Sequence, residues 1–145
     1  MKERGLGKRL LSYRAYLLFI LAACDGACVW QLFFPRIAGP YSAWGIAEGW
    51  QREIALWNAA LIMAAALAMR GKDAAVLRVL TIQATVLCWL LGVNHLAAFL
   101  SAGLTLWSVH FLGVLEVLLL GGIWGTAVLL QERNRGAQGN SNDFP

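Results

Sequence analysis

Charged residues are scarce in this chain of 145 residues. They make up 14% of it, against about 25% in an ordinary globular domain, while hydrophobic residues make up 59%. The hydrophobic residues also occur in long runs, which a water-soluble core of this size cannot hide. The net charge of +4 would suit nucleic acid, but the basic residues lie just outside the hydrophobic runs. The composition therefore argues against a soluble or nucleic-acid-binding domain and indicates an integral membrane protein.

Recognisable catalytic and metal-binding motifs are also lacking. The three cysteines form neither a C-x-x-C motif nor a Cys/His cluster with zinc spacing. No phosphate-binding loop and no nucleophile–base arrangement can be found in the sequence. Whether the protein is an enzyme therefore stays open.

Four segments are long and apolar enough to cross a bilayer, which takes about 20 residues. They cover residues 15–34, 53–69, 76–100 and 106–130. Since lipid offers no partner to unpaired backbone groups, each is predicted to be a helix. The predicted fold class is all-α, a four-helix up-down bundle. A basic arm at 1–14 precedes the bundle, and a disordered polar tail is expected at 131–145.

Basic residues predict the orientation of the bundle. Ten of the twelve fall on one side of it: Lys2, Arg4, Lys8, Arg9, Arg14, Arg70, Lys72, Arg78, Arg133 and Arg135. Only Arg36 and Arg52 fall on the other side. The positive-inside rule then places both termini, the arm and the tail in the cytoplasm.

The first span contains two thiols one turn apart. Leu21 to Cys24 fits a lipoprotein cleavage pattern, but the apolar run continues to Phe34, so the segment is interpreted as a helix rather than a signal. Cys24, Cys28 and Gln31 share one helical face. Thiols at this spacing suit a soft metal or a redox pair, and they equally suit close packing, which we favour.

The stretch Gly49–Asn58, GWQREIALWN, begins the second span and carries its polar residues. Arg52 and Glu53 form either an interfacial ion pair or part of a polar site. Asn58 lies one turn deeper, so Glu53 and Asn58 are expected to reach across to His95 or Asn94.

Two histidines lie at matched depth on neighbouring spans. His95 and His110 are each about 6–8 Å below the outer boundary, at ~1.5 Å per residue, and Asn94 is level with them. With Glu53 as a third ligand they would suit a metal, and the pair would suit haem. The alternative, which we favour, is that each imidazole bonds a neighbour near the headgroups.

Two carboxyl groups lie deeper. Asp25 and Glu116 are each about 15 Å from the outer boundary, near the midplane. No Lys or Arg lies at that depth, so we expect them to be protonated, to share a proton or to bind a cation. On helices 1 and 4 they can meet.

Gly121 and Gly125 form a G-x-x-x-G spacing, which predicts a packing surface either within the bundle or between subunits of a homo-oligomer.

The block R-E-x-x-x-W-N at Arg52–Asn58, the basic turn Arg70–Lys72 and a histidine late in helix 3 resemble small bacterial four-helix membrane proteins of DoxX-like architecture. The resemblance covers helices 2 to 4. It implies a four-helix bundle in a bacterial inner membrane and no established activity.

Three functions fit these observations. The first is a non-catalytic membrane protein that binds a small ligand or ion in its outer half, or serves as an accessory subunit of a larger complex. The second is a membrane enzyme or redox subunit acting on a quinone or isoprenoid, with Glu53, His95, His110 and Glu116 as acids and bases. The third is a proton-coupled cation exporter that uses Asp25 and Glu116.

Overall fold

The computed structural model describes residues 2–103 and 105–141, with side chains described over 12–103 and 105–134. Within these ranges every regular element is helical. Four helices are long and apolar enough to cross a membrane: Ser12–Phe33, Glu48–Arg70, Ala74–Ser101 and Val109–Asn134. Over these ranges, the prediction of an all-helical protein with four helices that are long and apolar enough to cross a membrane is confirmed.

Helix α1 runs from Lys2 to Phe33. It takes in the segment assigned above to a basic arm, so the arm and the first span form one helix. Pro35 follows its end, as expected of a residue that cannot continue a helix. The loop 34–47 contains a short 3-10 turn, Gly39–Tyr41, and Gly45 with φ of 71°, a left-handed conformation that favours glycine.

Helices α2 (Glu48–Arg70) and α3 (Ala74–Ser101) are joined by the short turn 71–73. An acidic residue begins α2 and Arg70 ends it, each placed to suit the helix dipole. The Asp73 carboxylate caps α3, accepting from the backbone N–H of Ala75 at 2.8 Å. Arg14 of α1 donates to the Gly71 carbonyl at 2.6 Å, which ties α1 to this turn.

The fourth helix, α4, covers residues 109–141 in three consecutive parts. These are an α-helical turn Val109–Gly113, a π-helical stretch Val114–Ile123 and an α-helical part Trp124–Ser141. Ser108 caps it by accepting from the Phe111 N–H at 3.2 Å. The helix continues well beyond residue 130, where we expected a disordered tail. Good helix formers (Gln131, Glu132 and Arg133) follow Leu130, and residues 142–145 lie outside the described part.

The largest interfaces join α1 to α2 and α3 to the π-helical stretch. Helix α1 also contacts α3 and the last part of α4. The main cluster of buried hydrophobic residues lies where α1, α3 and α4 meet near the turn 71–73: Tyr13, Tyr16, Leu17, Ile20, Leu77 and Val128. We call this the basic end of the bundle. The opposite end, formed by residues 34–47, 102–103 and 105–108, is the loop end.

Glycine lets the helices approach closely at the basic end. The Tyr16 hydroxyl donates to the Gly121 carbonyl at 2.7 Å and accepts from Thr85 at 3.3 Å. A Cβ atom on Gly125 would lie 2.7 Å from the Tyr16 hydroxyl, and one on Gly121 would overlap Cys88. Both glycines are buried. The G-x-x-x-G pair therefore packs within the bundle in this chain, and a contact between subunits through it would require that packing to open.

Candidate functional site

A pair of histidines lies under the loop 34–47, which we call the outer loop after its expected side of the membrane. His110, on the first turn of α4, is completely buried. His95, near the end of α3, is half-buried, and its Nδ1 lies 3.4 Å from the Nδ1 of His110. The structure thus brings together the two histidines that the sequence placed at equal depth.

Gly113 makes this contact between α3 and α4 possible. It lies one turn after His110, and a Cβ atom there would overlap the His95 ring. Nothing in the apolar periodicity of α4 singles it out. A small residue three positions after His110 could have indicated that an imidazole from the neighbouring helix packs against this turn of α4.

The outer loop supplies a fixed hydrogen bond to the pair. The backbone N–H of Ala43 donates to Nε2 of His110 at 2.8 Å. Because a backbone N–H only donates, Nε2 accepts and is unprotonated, and the neutral ring carries its proton on Nδ1. That proton points to Nδ1 of His95, which accepts it, so His95 holds its own proton on Nε2. Both imidazoles are neutral in this arrangement.

Trp44 covers both rings. Its ring centroid lies 4.4 Å from that of His110 and 4.9 Å from that of His95. From the sequence alone, a tryptophan beside a span is expected only to anchor the chain at the membrane interface. The loop carrying it is long and has no periodic pattern, so its return over the histidines could not be foreseen.

A shallow cavity of about 370 Å³, more open than enclosed, lies beside Trp44. It lies between the loop and one face of the last two turns of α3. Its walls include Ala43, Trp44, Asn94, Ala97, Ala98 and Ser101. Ligand pockets have volumes of about 300–1,000 Å³. The Asn94 amide makes no hydrogen bond to any described residue, so it is free to bond a molecule in the cavity.

The remaining polar residues of the second span lie elsewhere. Arg52 and Glu53 are both exposed, and the ion pair seen near them joins Arg36 to Glu48 at 2.7 Å. The hydrogen bond to Glu48 raises the pKa of Arg36. Asn58 donates to Gln31 of α1 at 3.5 Å rather than reaching His95 or Asn94.

The thiol face of α1 packs on its neighbours. Cys28 donates to the Ala55 carbonyl of α2 at 3.4 Å, and Cys24 packs against the core cluster. All three cysteines are free thiols. This arrangement agrees with the packing interpretation of Cys24 and Cys28.

The two carboxyls near the midplane do not join the histidines. Asp25 lies on an exposed face of α1, and Glu116, in the π-helical stretch, is also exposed. Over residues 12–103 and 105–134, neither forms a hydrogen bond or an ion pair.

A metal site at the histidines finds little support in this geometry. Within the described residues, no group of three or more His, Cys, Asp or Glu side chains is placed to hold a metal ion. Binding a metal through Nδ1 of His110 would also displace the proton that the Ala43 contact puts there. Glu53, the third ligand considered above, lies exposed on α2.

No protein-family model, curated protein or solved structure matched the chain when it was compared with each of these.

Proposed function

We propose that this protein binds a small uncharged molecule in the cavity between the outer loop and the end of α3. The observation that carries the proposal is the juxtaposition of that cavity with Trp44 and the neutral histidine pair. Among the described residues, no charged side chain lines the cavity. A wall of alanine and tryptophan side chains with the Asn94 amide and the Ser101 hydroxyl suits a compact ligand that carries one or two hydrogen-bonding groups.

The setting we propose is a bacterial inner membrane, with both termini in the cytoplasm and the cavity facing outward. The excess of basic residues at one end of the bundle supports this orientation, and the resemblance to DoxX-like proteins suggests the bacterial membrane. Reporter fusions at residue 145 and within 102–108 test the topology. A reporter active in the cytoplasm only at the C-terminus is the expected result.

Native mass spectrometry of the gently solubilised full chain tests the binding function. We expect a small-molecule adduct on the wild type and its loss in Trp44→Ala and Asn94→Leu. Trp107→Ala is the matched control, because Trp107 is another exposed tryptophan of the loop end and does not line the cavity. No adduct, or an equal adduct in all variants, would contradict the proposal.

An accessory-subunit role is the second candidate, and exposed carboxyl groups favour it. Asp25 and Glu116 lie on the surface of spans, where polar groups are costly unless they are paired or neutral. A neighbouring subunit would cover them. The same spectra would then show a protein partner, held less well by Asp25→Leu than by the wild type.

The enzymatic and exporter functions draw less support from the geometry. The first needs Glu53 and Glu116 beside the histidines, and the second needs Asp25 and Glu116 in one site. All three carboxyl side chains are exposed, and over the described side chains none of them bonds a histidine or another of the three.

A further inference from the structure

One buried nitrogen atom fastens the middle of the outer loop to the bundle. Nε2 of His110 accepts the Ala43 N–H at 2.8 Å, and Trp44 follows directly with its ring against both imidazoles. Among the described side chains, the other polar contact that this loop makes with a helix is Arg36 to Glu48, which joins the loop to the start of α2 and does not involve Ala43 or Trp44. The position of Ala43 and Trp44 therefore depends on His110 being able to accept a hydrogen bond.

A proton removes that ability. A neutral imidazole donates at one nitrogen and accepts at the other, whereas the protonated ring donates at both. If Nε2 of His110 takes a proton from water, its new N–H group faces the Ala43 N–H, so two donors meet. If Nδ1 of His95 takes the proton instead, its new N–H group faces the Nδ1–H of His110, and again two donors meet. Either event breaks one bond in the series from Ala43 to His95.

Among the described side chains, no charged group bonds either imidazole, so none would stabilise an imidazolium there. Helix α3 contributes His95 and the uncharged Asn94, while the loop contributes Ala43 and Trp44. On α4 the nearest carboxyl group is Glu116, six positions beyond His110 and exposed, and Arg36 and Glu48 bond each other. An unpaired charge on a fully buried ring is strongly unfavourable. The closed loop and a protonated His110 therefore exclude each other.

We propose that His110 is a proton-controlled latch on the outer loop. With a neutral ring, the latch holds Ala43 and Trp44 in place; with a protonated ring, it releases them. This inference rests on the proposed binding function, because these two residues form one wall of the cavity. Acidification of the outer side then removes that wall and lets the bound molecule leave.

Amide hydrogen exchange of the full chain in lipid nanodiscs tests the latch. Exchange at Ala43, corrected for the intrinsic effect of pH, is measured at about pH 7.5 and about pH 4.5, on either side of the ordinary histidine pKa. We expect protection at Ala43 to fall about tenfold in acid, as for the loss of one hydrogen bond, and to return at neutral pH. Thr85, inside α3 at the basic end, should stay protected at both values.

The variant His110→Gln provides the matched control. Glutamine places an oxygen near the position of Nε2 and does not titrate, so Ala43 should stay protected at both pH values. His110→Leu removes the acceptor and should leave Ala43 unprotected at both. Equal protection of the wild type at the two pH values would overturn the latch, and so would an acid response that persists in His110→Gln.

The adduct measured by native mass spectrometry separates the two proposals. If the loop responds to pH and the Trp44→Ala variant keeps the wild-type adduct, the latch is supported and the binding function is contradicted. If the loop does not respond to pH and the adduct depends on Trp44, the latch is contradicted and the binding function is supported.

Discussion

The two ends of the bundle use their polar side chains differently. At the basic end, Tyr16 and Thr85 are buried between helices and bond the Gly121 carbonyl and each other. At the loop end, His110 bonds a loop, and a cavity opens beside the contact. Buried polar groups that are satisfied within the helices rigidify a core. Buried polar groups that bond a loop instead leave a region that can open. We therefore propose that the basic end stabilises the bundle and that the loop end carries its function.

The largest effect on stability is expected from Gly125→Ala. The new Cβ would overlap Tyr16 and Thr85, so the free energy of unfolding should fall by about 1–3 kcal/mol. Denaturation in mixed micelles, followed by far-UV circular dichroism, measures it. Gly26→Ala is the matched control, because a Cβ atom there meets nothing within 4 Å. Equal stability of the two variants would remove the argument for close packing at the basic end.

Tyr16→Phe should come next. Loss of the hydroxyl removes the bond to the Gly121 carbonyl and is expected to lower the free energy of unfolding by about 1–2 kcal/mol. Tyr41→Phe, in the exposed 3-10 turn, should change it by less than about 0.5 kcal/mol. The same denaturation assay compares them, and a greater loss for Tyr41→Phe would reverse the assignment of the two ends.

Removing the two helix caps also tests the difference between the two ends. Asp73→Ala and Ser108→Ala each remove a cap, worth about 1 kcal/mol. At the basic end the loss should appear in global unfolding, since the core cluster lies beside α3. At the loop end it should appear mainly as faster exchange of the Phe111 amide, with a smaller change in global unfolding. Similar global losses for both variants would mean that the ends unfold together.

Asp25→Asn should have the smallest effect on the isolated chain. Its side chain is exposed and lacks a hydrogen-bonding partner over the described side chains, so we expect a change below about 0.5 kcal/mol. A loss above about 1 kcal/mol would show that the carboxylate is paired within the chain.

Composition and the length of the apolar runs were sufficient for the number and approximate positions of the four apolar helices. A run of this length is expected to be helical, because lipid admits only helices there. The runs also placed His95 and His110 at one depth, since depth follows from the rise per residue.

Rotation and loop placement could not be obtained in this way. The π-helical stretch Val114–Ile123 has more residues per turn than an α-helix, so a 3.6-residue period misplaces Glu116 about the axis. Asp25 faces outward because α1 turns Cys28 and Gln31 toward α2. Ala43 acts through its backbone, which no side-chain pattern reports.

The tautomer of His110 tests the account most directly. The chain has two histidines, so ¹⁵N-histidine labelling and NMR in lipid nanodiscs give four ring-nitrogen signals, two from each imidazole, which His95→Gln assigns. At neutral pH we expect His110 to be protonated on Nδ1 and to accept a hydrogen bond at Nε2, with His95 protonated on Nε2. A His110 ring that carries its proton on Nε2, or on both nitrogens, would contradict the contact with Ala43 and the site built on it.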